Sequence, residues 1–300
     1  PTSSRRQRQM CIRDSSFTSG IMRKKDIENQ EHRYLNRSLW ANLQSLKSTV
    51  SFMQTGAHPD DETSRLLAKL SLDEGYHVSY VNAVRGQGGQ NSIGPERDDN
   101  LGALRTYELL KAMSVLRVDI GWLANSRNNS IVDFGLSKSA EETFEFWDKN
   151  FTIQRMIRIV RAYKPDIIIP TFLDVNGQHG HHRSVTRATI EAYDKSNDPE
   201  MFPDDNFGPW KISQIFLPAW SGGGGSYDDE EDPPKATHSI DVGNFNHIYG
   251  GTYNQIGEWS RSYHATQNIG KLAYEDKMDV PLHLLKGTYL SLIHISEPTR

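Results

Sequence analysis

The sequence predicts an α/β fold with a mostly parallel β-sheet, on two observations. Through the first two thirds of the chain, apolar runs alternate with amphipathic helical patterns, an order typical of βαβ units. The segment "DIIIPT" (166–171) contains an unbroken isoleucine run, which suits a strand that is covered on both faces. We therefore expect a parallel sheet with helices packed on it.

The individual elements follow from the same patterns. Strands are predicted at 49–57, 77–84, 118–123, 166–171 and 212–220. Helices are predicted at 61–75, 98–115, 152–163 and 183–194, with one more inside 251–272. The helix at 98–115 carries an apolar face made of Leu101, Leu104, Leu109 and Ala112. The stretch 221–234 is rich in Gly, Asp and Glu and is expected to be an exposed loop.

The two ends of the chain read as sequencing adapters rather than protein. Residues 5–15 and 290–300 each match one reading frame of an adapter, so we expect 1–15 and 290–300 to be adapter-derived artefacts of a metagenomic fragment. We expect 16–48 to be an N-terminal helical lead-in and 49–289 to be a single domain that is truncated at its C-terminal end. The cysteine Cys11 lies in the adapter region, so disulfides and thiolate sites are not expected.

Composition and charge exclude some classes of partner. The chain has 34 Lys and Arg against 38 Asp and Glu, a formal net charge of −4, which favours neither nucleic acid nor an acidic membrane surface. No apolar run approaches the ~20 residues that a membrane span needs. If Met22 is the true start, the polar residues after it predict a cytoplasmic protein. A secreted or periplasmic location stays open, because a signal could precede it.

Two histidine-rich segments directly follow predicted strands. "AHPDDE" (57–62) follows the first strand, and "GQHGHH" (177–182) follows the isoleucine-rich one. In an open parallel sheet, ligands bind at the carboxyl ends of the strands. We therefore expect the two segments to meet at one edge of the sheet, although they are far apart in sequence.

The first segment has the residue types and spacing of a metal site. Without cysteine, His and Asp must supply the three protein ligands that a catalytic zinc takes. His58 and Asp61 are three residues apart, and Pro59 between them suits the first position of a helix. Asp60 is then free to accept a proton from an attacking water. Glu62 is interpreted as a first-turn acid of the following helix.

The second segment offers the third ligand. His179 and His182 are also three residues apart, so one can bind the metal while the other faces the substrate. His181 could replace either of them. Two histidines and one carboxylate suit Zn²⁺, and the same set can hold Fe²⁺. Arg261 and His264 lie on one face of the last predicted helix and could reach the site, but a surface position is the favoured interpretation.

Several motifs in order resemble the PIG-L/LmbE family of zinc-dependent de-N-acetylases, over about residues 49–195. They are "AHPDDE", "RGQGGQN" (85–91), "LRTYE" (104–108), "VDFG" (132–135) and the later His-x-x-His, and some connecting segments resemble a branch of larger bacterial members. The chain departs from the family at Gln87, where the family has Glu, and at His179-Gly180-His181-His182, where the family commonly has His-Pro-Asp-His. The spacing survives both changes, so the chemistry is expected to persist.

The resemblance implies a fold, a set of residue roles and an activity. The fold is a Rossmann-like three-layer αβα sandwich. The implied roles are zinc ligands His58, Asp61 and His182, the general base Asp60, an assisting His179, and sugar contacts from Arg105 and Asp133. "RGQGGQ" itself is interpreted as a tight turn, because it lacks the Lys-Ser/Thr of a phosphate-binding loop.

The leading functional hypothesis is a zinc-dependent hydrolase that removes an acetyl group from an N-acetylated amino sugar or glycoconjugate. Its partner is a small-molecule substrate, and its oligomeric state is left open. One alternative is a non-catalytic sugar-binding module of the same fold. A second alternative is a metal-dependent amidohydrolase that acts on a non-sugar amide.

Overall fold

One seven-stranded sheet organises the protein. The computed structural model describes residues 39–124, 129–202, 206–224, 227–270 and 278–287. The sheet strands are β1 (Ser51–Gly56), β2 (His77–Asn82), β3 (Asp119–Trp122), β4 (Ile167–Pro170), β5 (Gln214–Pro218), β6 (His238–Asp241) and β7 (Asp279–Gly287). Their order is β3-β2-β1-β4-β5-β7-β6. The first five strands are parallel, and β7 is antiparallel to both β5 and β6.

Helices cover both faces of this sheet. They are α1 (Ser64–Leu72), α2 (Asp98–Leu116), α3 (Ala140–Trp147), α4 (Lys149–Tyr163), α5 (Gly180–Lys195) and α6 (Tyr253–Arg261), followed by a 3₁₀ turn at Ala265–Gln267. Helices α1, α2 and α6 contact one another, and so do α3, α4 and α5. Two two-residue ladders, Phe245–Asn246 with Gly251–Thr252 and Gly223–Gly224 with Tyr227–Asp228, lie outside the main sheet.

The core follows the two-residue period of the strands. In β1, Phe52 packs in the core cluster on the α1 and α2 side, and Met53 packs in the cluster on the α4 and α5 side. In β4, Ile168 points to the opposite cluster from Ile167 and Ile169. The predicted three-layer αβα arrangement with a mostly parallel sheet is therefore confirmed, and the isoleucine run is buried on both faces.

Some element boundaries differ from the sequence prediction. Helix α1 begins at Ser64 rather than near 61, so Pro59 is not at a helix start and residues 57–63 form a turn. Leu104 is 38% exposed, because the buried face of α2 passes instead through Leu101, Arg105, Glu108 and Leu109. Helix α3 and the antiparallel strands β6 and β7 were not predicted. The sequence of α3, "AEETFEFW", has three acidic residues among its eight, so its apolar face is hard to recognise from the sequence pattern.

The N-terminal lead-in and the ends of the chain are covered only in part. Residues 39–45 are helical, and residues 16–38 of the predicted lead-in lie outside the described residues. The adapter predictions for 1–15 and 290–300 also lie outside them. Within the described ranges, every helix is too short or too polar to cross a bilayer.

The chain reverses direction across the sheet between β1 and β4. Strands β2 and β3 extend the sheet on one side of β1, and the connection through α3 and α4 returns the chain to β4 on its other side. Such a reversal leaves a crevice at the carboxyl ends of the two central strands. The loop after β1 begins at Ala57 and the loop after β4 begins at Thr171, so the two histidine-rich segments meet there.

Candidate metal centre

The turn after β1 is closed by the carboxylate of Asp61. Its Oδ2 accepts hydrogen bonds from the backbone N–H groups of Ala57 at 2.9 Å and His58 at 2.7 Å. The same oxygen lies 3.4 Å from His58 Nδ1 and 3.3 Å from His182 Nε2. Burial works to raise the pKa of Asp61, but the adjacent His182 and His58 hold it well below its usual range. Asp61 is therefore an ionised carboxylate, as a metal ligand must be.

Three donor atoms converge beside this turn. His58 Nδ1 lies 3.2 Å from His182 Nε2, and one ligand atom from each of His58, Asp61 and His182 lies within 4.8 Å of the others. His182 Nδ1 is 2.7 Å from Gln178 Oε1, an oxygen that also accepts the backbone N–H of His179 at 2.9 Å. Because a carbonyl oxygen only accepts, His182 Nδ1 carries the proton and Nε2 keeps its lone pair. This is the orientation that metal-binding histidines show.

A second group of three histidines fits a metal less well. His58, His179 and His181 also bring ligand atoms within 4.8 Å. His181 is fully buried, with its ring 4.5 Å from Phe134 and 4.9 Å from Trp147, and it does not line the cavity described below. Its Nδ1 lies 3.1 Å from His58 Nε2. His181 is therefore placed to orient the His58 ring. His58, Asp61 and His182 all line the cavity, so their cluster is the one that a small molecule can reach.

Asp60 lies next to this cluster in an unusual backbone conformation. Its φ of 121° is strained for a residue other than glycine, a state that clusters at functional sites. Arg105 Nη2 donates to Asp60 Oδ1 at 2.6 Å and to the carbonyl of Pro59 at 2.8 Å. Burial raises the pKa of Asp60 above its ordinary value, although Arg105 opposes this. A carboxylate with a raised pKa is a better proton acceptor.

The glycine-rich loop after β2 surrounds the Arg105 guanidinium. Gly86 has a φ of +73°, and a Cβ added there would lie 2.4 Å from Arg105 Nη1. A Cβ at Gly88 would lie 2.7 Å from Asp133 Oδ1. The Gly89 N–H donates to the Gly86 carbonyl at 3.2 Å, which is the predicted tight turn. The glycines therefore admit two buried charged side chains, Arg105 and Asp133, beneath the loop.

A pair of glycine substitutions tests this crowding. Gly208 also has a positive φ, +65°, but no atom lies within 4 Å of its added Cβ. We expect Gly208→Ala to cost only the left-handed backbone penalty, about 1–2 kcal/mol in the free energy of unfolding. Gly86→Ala should cost a further ~1 kcal/mol or more, because Arg105 must move. Urea denaturation measures both, and equal losses would contradict the crowding.

His179 lies just before the first residue of α5. Its Nε2 is 3.1 Å from the carbonyl oxygen of Gly135, so this nitrogen donates. Burial, together with the neighbouring His58 and His182, lowers the pKa of His179 to about 3. The ring is therefore uncharged at neutral pH. It can hydrogen-bond a bound group, but it does not carry an extra proton to donate.

Asp133 lies on the loop between β3 and α3, which α3 supports. Trp147 Nε1, in α3, donates to the carbonyl of Val132 at 2.7 Å. Asp133 Oδ1 accepts the Gly135 N–H at 2.9 Å, and Oδ2 lies 4.0 Å from His58 Nε2. Oδ2 has no hydrogen-bond partner among the described residues. This oxygen can therefore accept a hydrogen bond from a ligand or from His58.

The seven residues predicted as metal ligands, catalytic groups or substrate contacts line one cavity of about 340 Å³. They are His58, Asp60, Asp61, Arg105, Asp133, His179 and His182. Gln267 lines it too, and this residue follows α6, far from the motifs. The cavity has the size of a small-molecule site, with its charged groups gathered at one end of the sheet.

Sequence reasoning was wrong about Glu62 and His264. Both are buried, and His264 Nε2 lies 2.8 Å from Glu62 Oε1. Burial acts against both charges, yet each partner outweighs it, so the pKa of His264 is raised and that of Glu62 is lowered. Glu62 is thus not a first-turn helix acid, and His264 is not a surface residue. No local pattern signals a contact between residues so distant in sequence.

The fold and this site define an α/β protein with a His and Asp cluster that can hold a metal at the switch point of its sheet. Residues 53–193 match the PIG-L family, described as GlcNAc-PI de-N-acetylase. The matched segment contains every residue predicted for the site.

Curated relatives carry deacetylase and amidase names. The chain is 29% identical over 183 residues to 1D-myo-inositol 2-acetamido-2-deoxy-alpha-D-glucopyranoside deacetylase 1 of Frankia alni, covering 55% of this chain and 61% of that protein. It is 27% identical over 175 residues to mycothiol S-conjugate amidase of Streptomyces coelicolor, covering 53% and 57%. The chain thus spans little more than half the length of these relatives.

A solved structure shares the fold but carries a different activity. It is GalB, a 4-carboxy-2-hydroxymuconate hydratase from Pseudomonas putida, which is 12% identical, with a TM-score of 0.52 over 81% of this chain and 99% of that chain. The likeness supports the fold alone. The activity must therefore be argued from the site.

Proposed function

We propose that this chain is a zinc-dependent deacetylase that removes the acetyl group from an N-acetylated amino sugar or glycoconjugate. One observation carries the proposal: His58, Asp61 and His182 converge in a cavity that Asp60 also lines. A site that only bound sugar would need no carboxylate beside a metal cluster. We further propose that residues 49–289 make up the deacetylase domain.

The metal is proposed to be held by His58, Asp61 and His182. Two imidazoles and one carboxylate form a common zinc set, and Fe²⁺ is the second candidate. When bound, the ion would polarise the acyl carbonyl and lower the pKa of a water molecule. The Gln178 contact, which leaves His182 Nε2 unprotonated, supports this assignment.

Asp60 is proposed as the general base. Its carboxylate is a neighbour of the ligand Asp61 in the sequence but is bonded to Arg105, not to the cluster. It can therefore accept a proton from the attacking water without leaving its place. Asp60 contacts Arg105 while Asp61 contacts His58 and His182, so proton transfer and metal binding would fall to different carboxylates.

His179, Arg105 and Asp133 are proposed to act on the substrate. The neutral His179 would assist by hydrogen-bonding the tetrahedral intermediate, and the proton that Asp60 takes from the attacking water would pass to the leaving amine as acetate is released. Arg105 donates hydrogen bonds to the carbonyl oxygens of Pro59 and Gly86 and to the carboxylate of Asp60. We therefore propose that it first positions Asp60 and contacts the sugar second, whereas Asp133 Oδ2 is open to a sugar hydroxyl.

The two alternatives make different claims about turnover and substrate. A non-catalytic sugar-binding module has no use for the strained Asp60 beside the cluster, which makes it the weaker candidate. A metal-dependent amidohydrolase of a non-sugar amide would use the same residues. The relative named mycothiol S-conjugate amidase keeps this second alternative open, because it is an amidase by name.

Metal removal tests the proposal directly. We expect the purified chain to release acetate from N-acetylglucosamine derivatives, to lose this activity after treatment with a chelator, and to regain it when Zn²⁺ is added. Fe²⁺ added under anaerobic conditions distinguishes the second metal. Acetate release that is indifferent to chelation would contradict the metal assignment. Metal and sugar binding without any release would favour the non-catalytic module.

A further inference from the structure

The loop after β5 folds back onto the segment that leads into α5. The sequence predicts an exposed loop at 221–234, but Gly222 is buried and Asp229 is only partly exposed. The Glu230 N–H donates to the Asn176 carbonyl at 2.9 Å, and the Asp229 N–H donates to the Gly222 carbonyl at 3.2 Å. This loop therefore lies against the residues that directly precede the histidines of α5.

The Asp229 carboxylate accepts hydrogen bonds through both of its oxygens. Gln178 Nε2 donates to Oδ1 at 2.9 Å, and the Gly222 N–H donates to Oδ2 at 2.7 Å. Gln178 is only 2% exposed, so its amide group has little access to water. Because a buried amide that loses its partner is costly, the contact with Asp229 holds the Gln178 side chain firmly in place.

The two ends of the Gln178 amide are fixed by different partners. Its Oε1 accepts the His179 backbone N–H at 2.9 Å, and a backbone N–H can only donate. Its Nε2 faces the Asp229 carboxylate, and an ionised carboxylate can only accept. A rotation of the amide by about 180° would break both contacts. The oxygen therefore stays beside His182 Nδ1, 2.7 Å away, and keeps the proton on that nitrogen.

The same loop also supports the His182 ring from its face. The Phe172 ring is stacked on the His182 ring, with centroids 4.0 Å apart and an interplanar angle of 13°. A Cβ added at Gly222 would lie 2.7 Å from Phe172 Cδ1 and 2.7 Å from Gln178 Nε2, so this glycine packs against both side chains. The hydrogen bond and the stacking contact on His182 thus both depend on the loop that carries Asp229.

We propose that Asp229 is a positioning residue for the metal centre, which acts through Gln178 to hold the Nε2 lone pair of His182 towards the other two proposed ligands. Asp229 is two hydrogen bonds away from the His182 ring. A carboxylate at the end of such a chain polarises the amide and makes the imidazole a better electron donor. The inference rests on the metal ligands proposed above and adds a residue from outside the matched segment 53–193.

Zinc affinity measures this role without turnover. Competition against a chromophoric chelator should show that Gln178→Ala binds Zn²⁺ about 10–100-fold more weakly than wild type, and Asp229→Asn about tenfold more weakly. Asparagine cannot serve both contacts, because its NH₂ group must face either Gln178 Nε2 or the Gly222 N–H, and both are donors. Glu230→Gln removes the same charge at the next position and should bind Zn²⁺ like wild type.

A double variant shows whether Asp229 acts through Gln178. If it does, Gln178→Ala combined with Asp229→Asn should bind Zn²⁺ no more weakly than Gln178→Ala alone. A general loosening of the loop would instead weaken binding further in the double variant. Fully additive losses would therefore overturn the proposal, and so would wild-type affinity in Asp229→Asn.

The position of the His182 proton gives a second readout, in the metal-free protein. At mildly alkaline pH an ordinary imidazole is uncharged, and nitrogen NMR should then show His182 in a single Nδ1–H form in wild type. Asp229→Asn should show a mixture of the Nδ1–H and Nε2–H forms, and a single unchanged form would contradict the proposal.

Neither readout depends on acetate release, so the proposed function can fail separately. Zinc affinity and a proton position that both depend on Asp229, without release from any substrate, would remove the deacetylase function and keep the positioning role. Metal-dependent release with neither readout sensitive to Asp229 would keep the function and remove the positioning role.

Discussion

Replacing Asp60 with asparagine is expected to reduce kcat for acetate release by about 10²–10⁴-fold, the usual contribution of a general base. Asparagine has nearly the same shape, and its carbonyl oxygen can still accept from Arg105 Nη2, which lies 2.6 Å from Asp60 Oδ1. It cannot accept a proton from water. Metal content, measured by mass spectrometry, should stay at the wild-type level because the proposed ligands are unchanged.

The backbone at this position makes asparagine the right substitution. Asp60 has a φ of 121°, and Asn is among the residues that tolerate positive φ best. Asp60→Ala would mix loss of the base with backbone strain. Asp61→Asn is the matched comparison, since it should lower metal content as well as activity. A rate near wild type in Asp60→Asn, or a loss that simply follows metal loss, would remove Asp60 from the role of base.

The parallel half of the sheet could be predicted because its signals are local. An unbroken run such as Ile167–Ile169 and the periodicity of α4 each lie within one element, and short connections limit how such elements assemble. Strands β6 and β7 have no comparable signal. Most of their residues are only partly buried or exposed, and β7 changes register between Leu284 and Lys286, so their pairing depends on contacts made late in the chain.

The convergence of His58, Asp61 and His182 could be predicted for a similar reason, but the contacts that support these residues could not. His58 and Asp61 lie within one turn, and the sheet edge brings His182 to them. Gln178, which orients His182, has a partner only once that edge has formed. The sequence suggested that Glu62 is a first-turn helix acid, because acidic residues often occur at helix starts. Its partner His264, however, comes from the far end of the described fold. Buried polar partners of this kind are a property of the tertiary structure.

His264→Leu is expected to lower the free energy of unfolding by about 3–5 kcal/mol, the usual cost of leaving one member of a buried ion pair without its partner. Glu62 and His264 are 1% and 0% exposed, and Glu62 Oε2 has no partner among the described residues. The Glu62 carboxylate would keep the Ser64 hydroxyl, 3.1 Å away, but would lose its cationic partner. Urea denaturation measures the loss.

Two controls test whether the loss of stability in His264→Leu comes from the unpaired Glu62 charge rather than from removal of the histidine side chain. One control alters an exposed ion pair, and the other is a double variant. His77 Nε2 lies 3.3 Å from Asp119 Oδ2, but the two side chains are 65% and 61% exposed, so His77→Leu should leave stability unchanged. The double variant Glu62→Gln with His264→Leu should lose less stability than His264→Leu alone, because no charge is left buried. If the double variant were the less stable, the pair would matter through packing instead. The distinction bears on catalysis, because Glu62 directly follows the turn that holds Asp60 and Asp61, and a mobile Glu62 would loosen both.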